Sequence, residues 1–320
     1  MATATAPQTL QSAIEFFADP ANCDQFMVEL RWPNGVACPH CGSLSVVYLA
    51  NQRRWKCREK HPRAQFSAKV GTIFEDSPIA LKSWLLAVWM LANCKNGISS
   101  YELARALGVT QKTGWFMLQR VRLAMQTPGG GKLGGEVEVD ETYIGGKARN
   151  MHHAKREKVI KGRRGGWSGK AAVVGLLQRH PGKGKSRVRL QVIQSSRKNV
   201  LQPIVENHVN DGSAVYTDAL RSYENLSIYY QHQVIDHAEA YVRDEVHTNG
   251  LENFWSLLKR GIRGTYVSVE PFHLFRYLDE QAFRFNQRDG NDADRFVLAM
   301  RQIEGKRLTF DSLIDRPRDL

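Results

Sequence analysis

Three acidic residues stand beside apolar segments in a way that can concentrate negative charge: Asp140 in GEVEVDETYIGGK, Asp218 in SAVYTDALRSY and Glu252 in HTNGLENFWSLLKRGIRGTY. Apolar and polar residues alternate through 135–147 as far as Asp140, the pattern of a strand with one buried face. Alternation puts Asp140 on a face with Glu138 and Thr142, and Glu141 on the other with Val137 and Val139, so the two adjacent acids are not expected to act as a pair. Val215 and Tyr216 likewise read as a buried strand leading to Asp218. If the two strands are parallel neighbours, both carboxylates leave the sheet at its C-terminal edge, where open α/β sheets place their sites. Glu252 falls on an amphipathic helix with Leu251, Phe254, Leu258 and Ile262 turned inward, and it shares a stripe with Trp255 and Lys259 at i, i+3 and i+7. Three converging carboxylates require divalent cations to offset their repulsion, and oxygen-only ligation suits Mg2+ or Mn2+. Two such ions drive in-line displacement at phosphorus. Taken singly, the same residues also fit strand-edge solvation for Asp140, a helix N-cap for Asp218 and a surface ion pair with Lys259 for Glu252.

A second constellation is made of sulfur. In CPHC, Cys38 and Cys41 can both reach one tetrahedral ion from a tight turn, and Cys57 and His61 follow. Lys60 occupies the position where a repeated Cys-x2-Cys would end, so Cys57-x3-His61 is expected to close a Cys3His site. His40 competes as fourth ligand but sits inside the knuckle. A site with four protein ligands has no open position, so this Zn2+ is expected to be structural. Five cysteines, three of them clustered while Cys23 and Cys94 stand apart, point to metal binding in a reducing compartment rather than to a disulfide framework.

The elements that must carry these groups divide the chain. Its 320 residues exceed one ordinary compact domain, and 45 Lys and Arg against 32 Asp and Glu leave a formal charge of +13, a footprint for a polyanion such as nucleic acid. The apolar run WLLAVWMLA is too short for a bilayer, no membrane partner is expected, and the N-terminus lacks the plan of a secretory signal, so a cytoplasmic location is expected. Residues 1–76 read as small helices and a zinc ribbon, 77–128 as a helical DNA-binding region, 135–290 as an α/β domain and 291–320 as a tail, with the glycine-rich break 129–135 as the boundary. In ISSYELARALGVTQKTGWFMLQRVRLAM a helix carrying Tyr101, Leu103, Ala104 and Leu107 stops at Gly108, and a second opens at Thr110. This is the helix-turn-helix pattern, with Gln111, Lys112 and Thr113 offered to the major groove; a plain helical hairpin gives the same pattern. Residues 147–170, rich in Lys and Arg and without an apolar period, read as a mobile basic loop suited to phosphates, among them Lys161, Arg163 and Arg164.

VEVDETYIGGK, VYTDALRSY, HTNGLENFWSLLKRGIRGTY and HLFRYLDEQAFRFNQR, in that order, resemble the ISXO-type insertion-sequence transposases. CPHCGS, VGTIFEDSPIAL and the helix-turn-helix are similar to the N-terminal module of the same family, so the resemblance covers about residues 25–290. It implies a DDE enzyme with an α/β, ribonuclease-H-like mixed sheet and flanking helices, preceded by a zinc ribbon and a helix-turn-helix. It further implies that Asp140, Asp218 and Glu252 are the catalytic metal-binding triad, and that Lys259, with Arg260 beside it, contacts DNA. Asn249 and Asn253 flank Glu252, but only the carboxylate adds charge to a metal site. The implied partners are double-stranded DNA, as element ends and as target, and further copies of the chain assembled on it, in a bacterial, nucleoid-associated setting. A DNA-binding regulator with an inactive catalytic domain and a nuclease of the same fold are the rival readings. Trp255 reads as core packing or as a platform for a base; His237 and His247 read as structural or as DNA-positioning groups.

Overall fold

Short polar residues placed ahead of apolar-periodic runs set where the first helices begin. The computed structural model describes residues 6–126, 131–146, 170–180, 185–218, 221–235 and 247–314. Helix α1 (Leu10–Phe16) starts behind Thr9, and α2 (Pro20–Arg31) behind Asp19, whose carboxylate accepts from the Ala21 amide while Pro20 takes the first helical turn. Strands β1 (Val46–Leu49), β2 (Arg54–Cys57) and β3 (Gln65–Phe66) form a small antiparallel sheet. The run WLLAVWMLA lies in α3 (Leu81–Asn93), where Trp84, Leu85, Trp89 and Leu91 are buried as core. Among the described residues no helix is long and apolar enough to cross a membrane.

Helices α4 (Ser100–Leu107) and α5 (Gln111–Ala124) form the helix-turn-helix. Ser99 and Glu102 make a reciprocal capping box, Gly108 takes the left-handed conformation at φ 66° that stops α4, and the Thr110 hydroxyl accepts the Thr113 amide to start α5. Tyr101, expected on the inward face of α4, is instead 69% exposed, because Leu103 and Ala104 already fill the contact. A Cβ on Gly114 would stand 2.9 Å from the Ser100 carbonyl oxygen, so this glycine is what lets α5 approach the backbone of α4.

The α/β part is built from β4 (Glu136–Ile144), β5 (Ala171–Gln178), β6 (Arg187–Ile193), α6 (Lys198–His208), β7 (Ala214–Asp218), β8 (Gln231–Ile235), α7 (Asn249–Gly261) and α8 (Leu274–Asn286). The strand order is β6-β5-β4-β7-β8; β5 runs antiparallel to both β4 and β6, while β7 and β8 run parallel to β4. One face packs Val137, Val139 and Val215 against Leu201, Ile204 and Val205 of α6. The other packs Val173, Leu177 and Val188 against α7 and α8 through Leu251, Phe254, Leu258 and Leu278. This five-stranded mixed sheet between helical layers is the ribonuclease-H-like arrangement.

Residues after 289, expected as a tail, fold back onto the N-terminal elements as α9 (Asp292–Arg301) and α10 (Phe310–Ile314). The physical reason is aromatic: Phe296 is fully buried, stacked on Phe26 at 5.5 Å and tilted against Trp89 at 5.1 Å. Arg120 of α5 reinforces the return, its buried guanidinium donating to the carbonyls of Ile73, Glu75 and Leu308. The chain therefore forms two units, 6–126 with 290–314, and 131–289. Gly114→Val is expected to overpack the α4–α5 contact by about 1–3 kcal/mol, read as a lower urea midpoint; an unchanged midpoint would contradict the close approach.

Candidate functional site

The site is assembled on one strand. Along β4 the α6-facing positions, Val137 and Val139, are apolar, whereas Glu138 and Asp140 face α7 and accept hydrogen bonds from it. Glu138 is only 1% exposed; its Oε2 accepts the Leu251 amide at 2.8 Å, in the first turn of α7, and its Oε1 accepts Arg179 Nε at 2.7 Å. A carboxylate at a helix N-terminus is favoured both by the free amides there and by the helix dipole. The Arg179 guanidinium also reaches Glu136 and His247, and lies 4.4 Å from the Tyr216 ring centroid. A Cβ on Gly250 would come within 2.8 Å of Glu138 Oε2, so only glycine lets the acid this close to the helix.

Two residues farther along the same face, Asp140 Oδ2 accepts the indole Nε1–H of Trp255 at 2.8 Å, and its Oδ1 accepts the Glu141 amide at 2.8 Å. Trp255 is 4% exposed, which excludes the stacking of a base on it. β4 and β7 are indeed parallel neighbours, paired from Glu136↔Ala214 to Glu138↔Tyr216. Continued by two residues, that register sets Asp140 beside Asp218, the last residue of β7.

Glu141 departs from expectation. Its carboxylate accepts from the Tyr223 hydroxyl, on the α6 side of the sheet, yet Asp140, Glu141 and Asp218 each present an oxygen within 4.8 Å of the others. Strand alternation sends the two neighbours to opposite faces at Cβ. The β4–β7 ladder pairs end at Glu138↔Tyr216, and past them the carboxylates of both neighbours nonetheless reach one cluster with Asp218. The adjacent acids are therefore a pair after all. Glu252 is not part of this cluster: it is exposed in the first turn of α7, near enough for its charge to act on Asp140.

The electrostatics follow from crowding. Burial, then the charges of Asp218 and Glu252, push Asp140 up to about 6 against the donors from Trp255 and Glu141. Burial and the charges of Asp218 and Asp140 push Glu141 up to about 8. Carboxyls that resist ionisation in this way are those a divalent cation would relieve, and a set of oxygen donors matches Mg2+ or Mn2+. Lys259 is half-buried, lowered by burial and by Arg263 while the Asp140 charge opposes the shift; Arg260 is exposed.

In the ribbon, Cys38, Cys41, Cys57 and His61 offer ligand atoms within 4.8 Å of one another, as spacing predicted, whereas His40 is exposed and its ring lies 5.9 Å from that of His61. Gly42, at φ 75°, closes the knuckle, its amide bonding the Cys38 carbonyl at 2.8 Å. Gln111 and Lys112 are exposed at the start of α5; the Gln111 amide donates to Ser100 Oγ at 2.8 Å and the Lys112 ammonium sits 4.6 Å from the Phe310 ring centroid. Thr113 is occupied with Thr110 at the cap. Lys161, Arg163, Arg164 and His237 lie outside the described residues.

Sequence reasoning missed Glu138, Arg179, Gly175 and Gly250. The signal available for the glycines was their place inside a strand and a helix, where glycine is otherwise unfavourable. Glu138→Ala is expected to destabilise the α/β unit by about 3–5 kcal/mol, because it removes the buried partner of Arg179, leaving it Glu136 and His247, and frees the α7 amide; Glu138→Gln, which keeps an acceptor, loses less. Equal denaturant midpoints for the two variants would rule out this docking role.

Against known families, residues 132–286 match the ISXO2-like transposase domain and residues 19–59 the transposase zinc-ribbon domain. An uncharacterized protein in transposable element ISH50 of Halobacterium salinarum is 28% identical over 306 residues, 89% of this chain and 98% of that one. An uncharacterized transposase-like protein of Haemophilus influenzae is 31% identical over 106 residues, 33% of this chain and 85% of that one. With both the transposase zinc-ribbon domain and the ISXO2-like transposase domain matched, the chain belongs to the ISXO2-like family of insertion-sequence transposases.

Proposed function

We propose that this transposase binds the ends of its own element, cuts a strand there with water, and joins the freed 3′-hydroxyl to target DNA. The observation that carries the reading is the convergence of Asp140 and Glu141, midway along β4, with Asp218 at the C-terminal end of β7, inside the matched transposase domain. Asp140 and Asp218 would hold the divalent cations, with Glu141 adjoining them and Glu252 as the acid supplied from α7. Bound there, Mg2+ or Mn2+ supplies Lewis acidity for displacement at phosphorus.

The protein's own groups do the positioning. Asp140 is locked in orientation by its two donors, and Asp218 stands at a strand end where its backbone is fixed by pairing with β8. Lys259 and Arg260, in the last turn of α7, would contact DNA next to the acids. Gln111 and Lys112 would enter the major groove after exchanging Ser100 and the Phe310 ring for base edges, with Thr113 holding the helix start. Lys161, Arg163 and Arg164 would neutralise phosphates, giving affinity that falls steeply with salt. A structural Zn2+ on Cys38, Cys41, Cys57 and His61 would hold the ribbon. Joining two ends in one event requires at least two copies of the chain on DNA.

The test is incubation of the full chain with element-end DNA and Mg2+, followed by analysis for 3′-end cleavage and strand-transfer products. Asp140→Asn and Asp218→Asn are expected to reduce both products at least about 10³-fold, on the order of 4 kcal/mol of barrier. Binding without cleavage would favour a regulator, cleavage without joining a nuclease, and undiminished product from Asp140→Asn would refute the site. Independently, Mg2+ is expected to raise the melting temperature of the parent and not that of either Asn variant. The purified chain should carry one zinc; Cys57→Ser should lose it and weaken end binding, and metal analysis showing zinc retained would remove Cys57 from the ligand set.

A further inference from the structure

We infer that Trp255 is the positioning residue of the Asp140 metal ligand, and that Gly175 is kept without a side chain to admit it. This deepens the proposed function and rests on Asp140 being a ligand. The geometry is specific. The indole Nε1–H meets Oδ2 at 2.8 Å and the Glu141 amide meets Oδ1 at 2.8 Å. Each oxygen thus has one donor, which fixes the plane of the carboxylate and leaves acceptor capacity on both oxygens for a cation.

Gly175 faces Asp140 directly in the antiparallel register of β4 and β5. A Cβ there would lie 2.6 Å from Trp255 Cη2, 2.7 Å from Cζ2 and 2.9 Å from Leu251 Cδ2, so the indole occupies the place where any other residue would carry its side chain. A tryptophan needed only for core volume would find a partner for its N–H in any nearby carbonyl. Here the partner is an acid of the metal cluster, and the sheet gives up a side chain to bring the ring over it. Outer partners of this kind orient metal ligands, and their loss weakens metal affinity or activity about 10–100-fold.

The chain has seven tryptophans, so indole resonances of the 15N-labelled full-length protein can be followed individually. Substoichiometric Mn2+ should broaden one of them first: the resonance absent from Trp255→Phe and shifted in Gly175→Ala. Asp140→Asn should abolish that broadening. Trp255→Phe, which keeps an aromatic ring but no donor, should bind Mn2+ about 10–100-fold more weakly by electron paramagnetic resonance of free Mn2+, and Gly175→Ala should do the same by displacing the indole. Wild-type Mn2+ affinity in a folded Trp255→Phe would overturn the inference, as would an unbroadened Trp255 indole in a protein whose Mn2+ binding depends on Asp140. If Trp255→Phe does not fold, the resonance shifted by Gly175→Ala identifies the indole, and its response to Mn2+ decides. Wild-type Mn2+ binding by Asp140→Asn is a different failure: it removes the metal ligand itself, and the positioning role with it.

Discussion

The buried carboxylate of Glu138 is the contact on which the α/β unit depends. A charge 1% exposed inside a sheet is unfavourable unless it is fully partnered, and Glu138 is: Arg179 supplies the opposite charge and the first turn of α7 supplies an amide and its dipole. The arrangement has one solution for the helix. Gly250 permits contact at van der Waals limits, Leu251 must donate, and Leu251, Phe254 and Leu258 then fall into the apolar layer against Val173 and Leu177. An attraction between a strand acid and a helix end thereby sets the rotation of α7 about its own axis.

The second tension lies two residues farther along the same strand. Three acids gathered at one sheet edge are partly withdrawn from water, and burial first, then their neighbours' charges, push Asp140 and Glu141 upward. A sheet built for stability alone would place apolar or singly solvated residues there. The surrounding packing is accordingly dense: Tyr223, 1% exposed, holds Glu141 from one face while Trp255 holds Asp140 from the other. Functional sites are where local rules are broken and the neighbourhood compensates.

What could be read without coordinates was what depends on period. Strands β4, β5, β6 and β7 follow from their apolar runs, α7 from its 3.6-residue stripe, and the stop and restart inside the helix-turn-helix from Gly108 and Thr110, because burial on one face and unsatisfied helix ends leave their mark within a few residues. The zinc-ligand spacing belongs to the same kind. The reading failed where distance or length decided. Alternation gives the direction of Glu141 at Cβ, but that its carboxylate meets those of Asp140 and Asp218 has no local signature. Likewise nothing near Phe296 indicates that Phe26 and Trp89, some two hundred residues earlier, would claim it. The roles of Gly175 and Gly250 exist only in contact with Trp255 and Glu138.

These contacts reduce to one reference element. Asp140 is on β4; Asp218 is aligned to β4 through the parallel pairing of β7; Glu252 rides on α7, whose rotation is set by Glu138 of β4 and whose indole rests on Asp140 of β4. Glu252, outside the acidic cluster but carried by that helix, is therefore referred to the same strand as Asp140 and Asp218. A slip of α7 by one residue would turn it by about 100°, taking the Leu251 amide off Glu138 and the indole off Asp140 together. The docking contacts and the candidate site must then form or fail as a unit, which is why the polar residues of β4 extend inward to Glu138 rather than stopping at the acid that faces solvent.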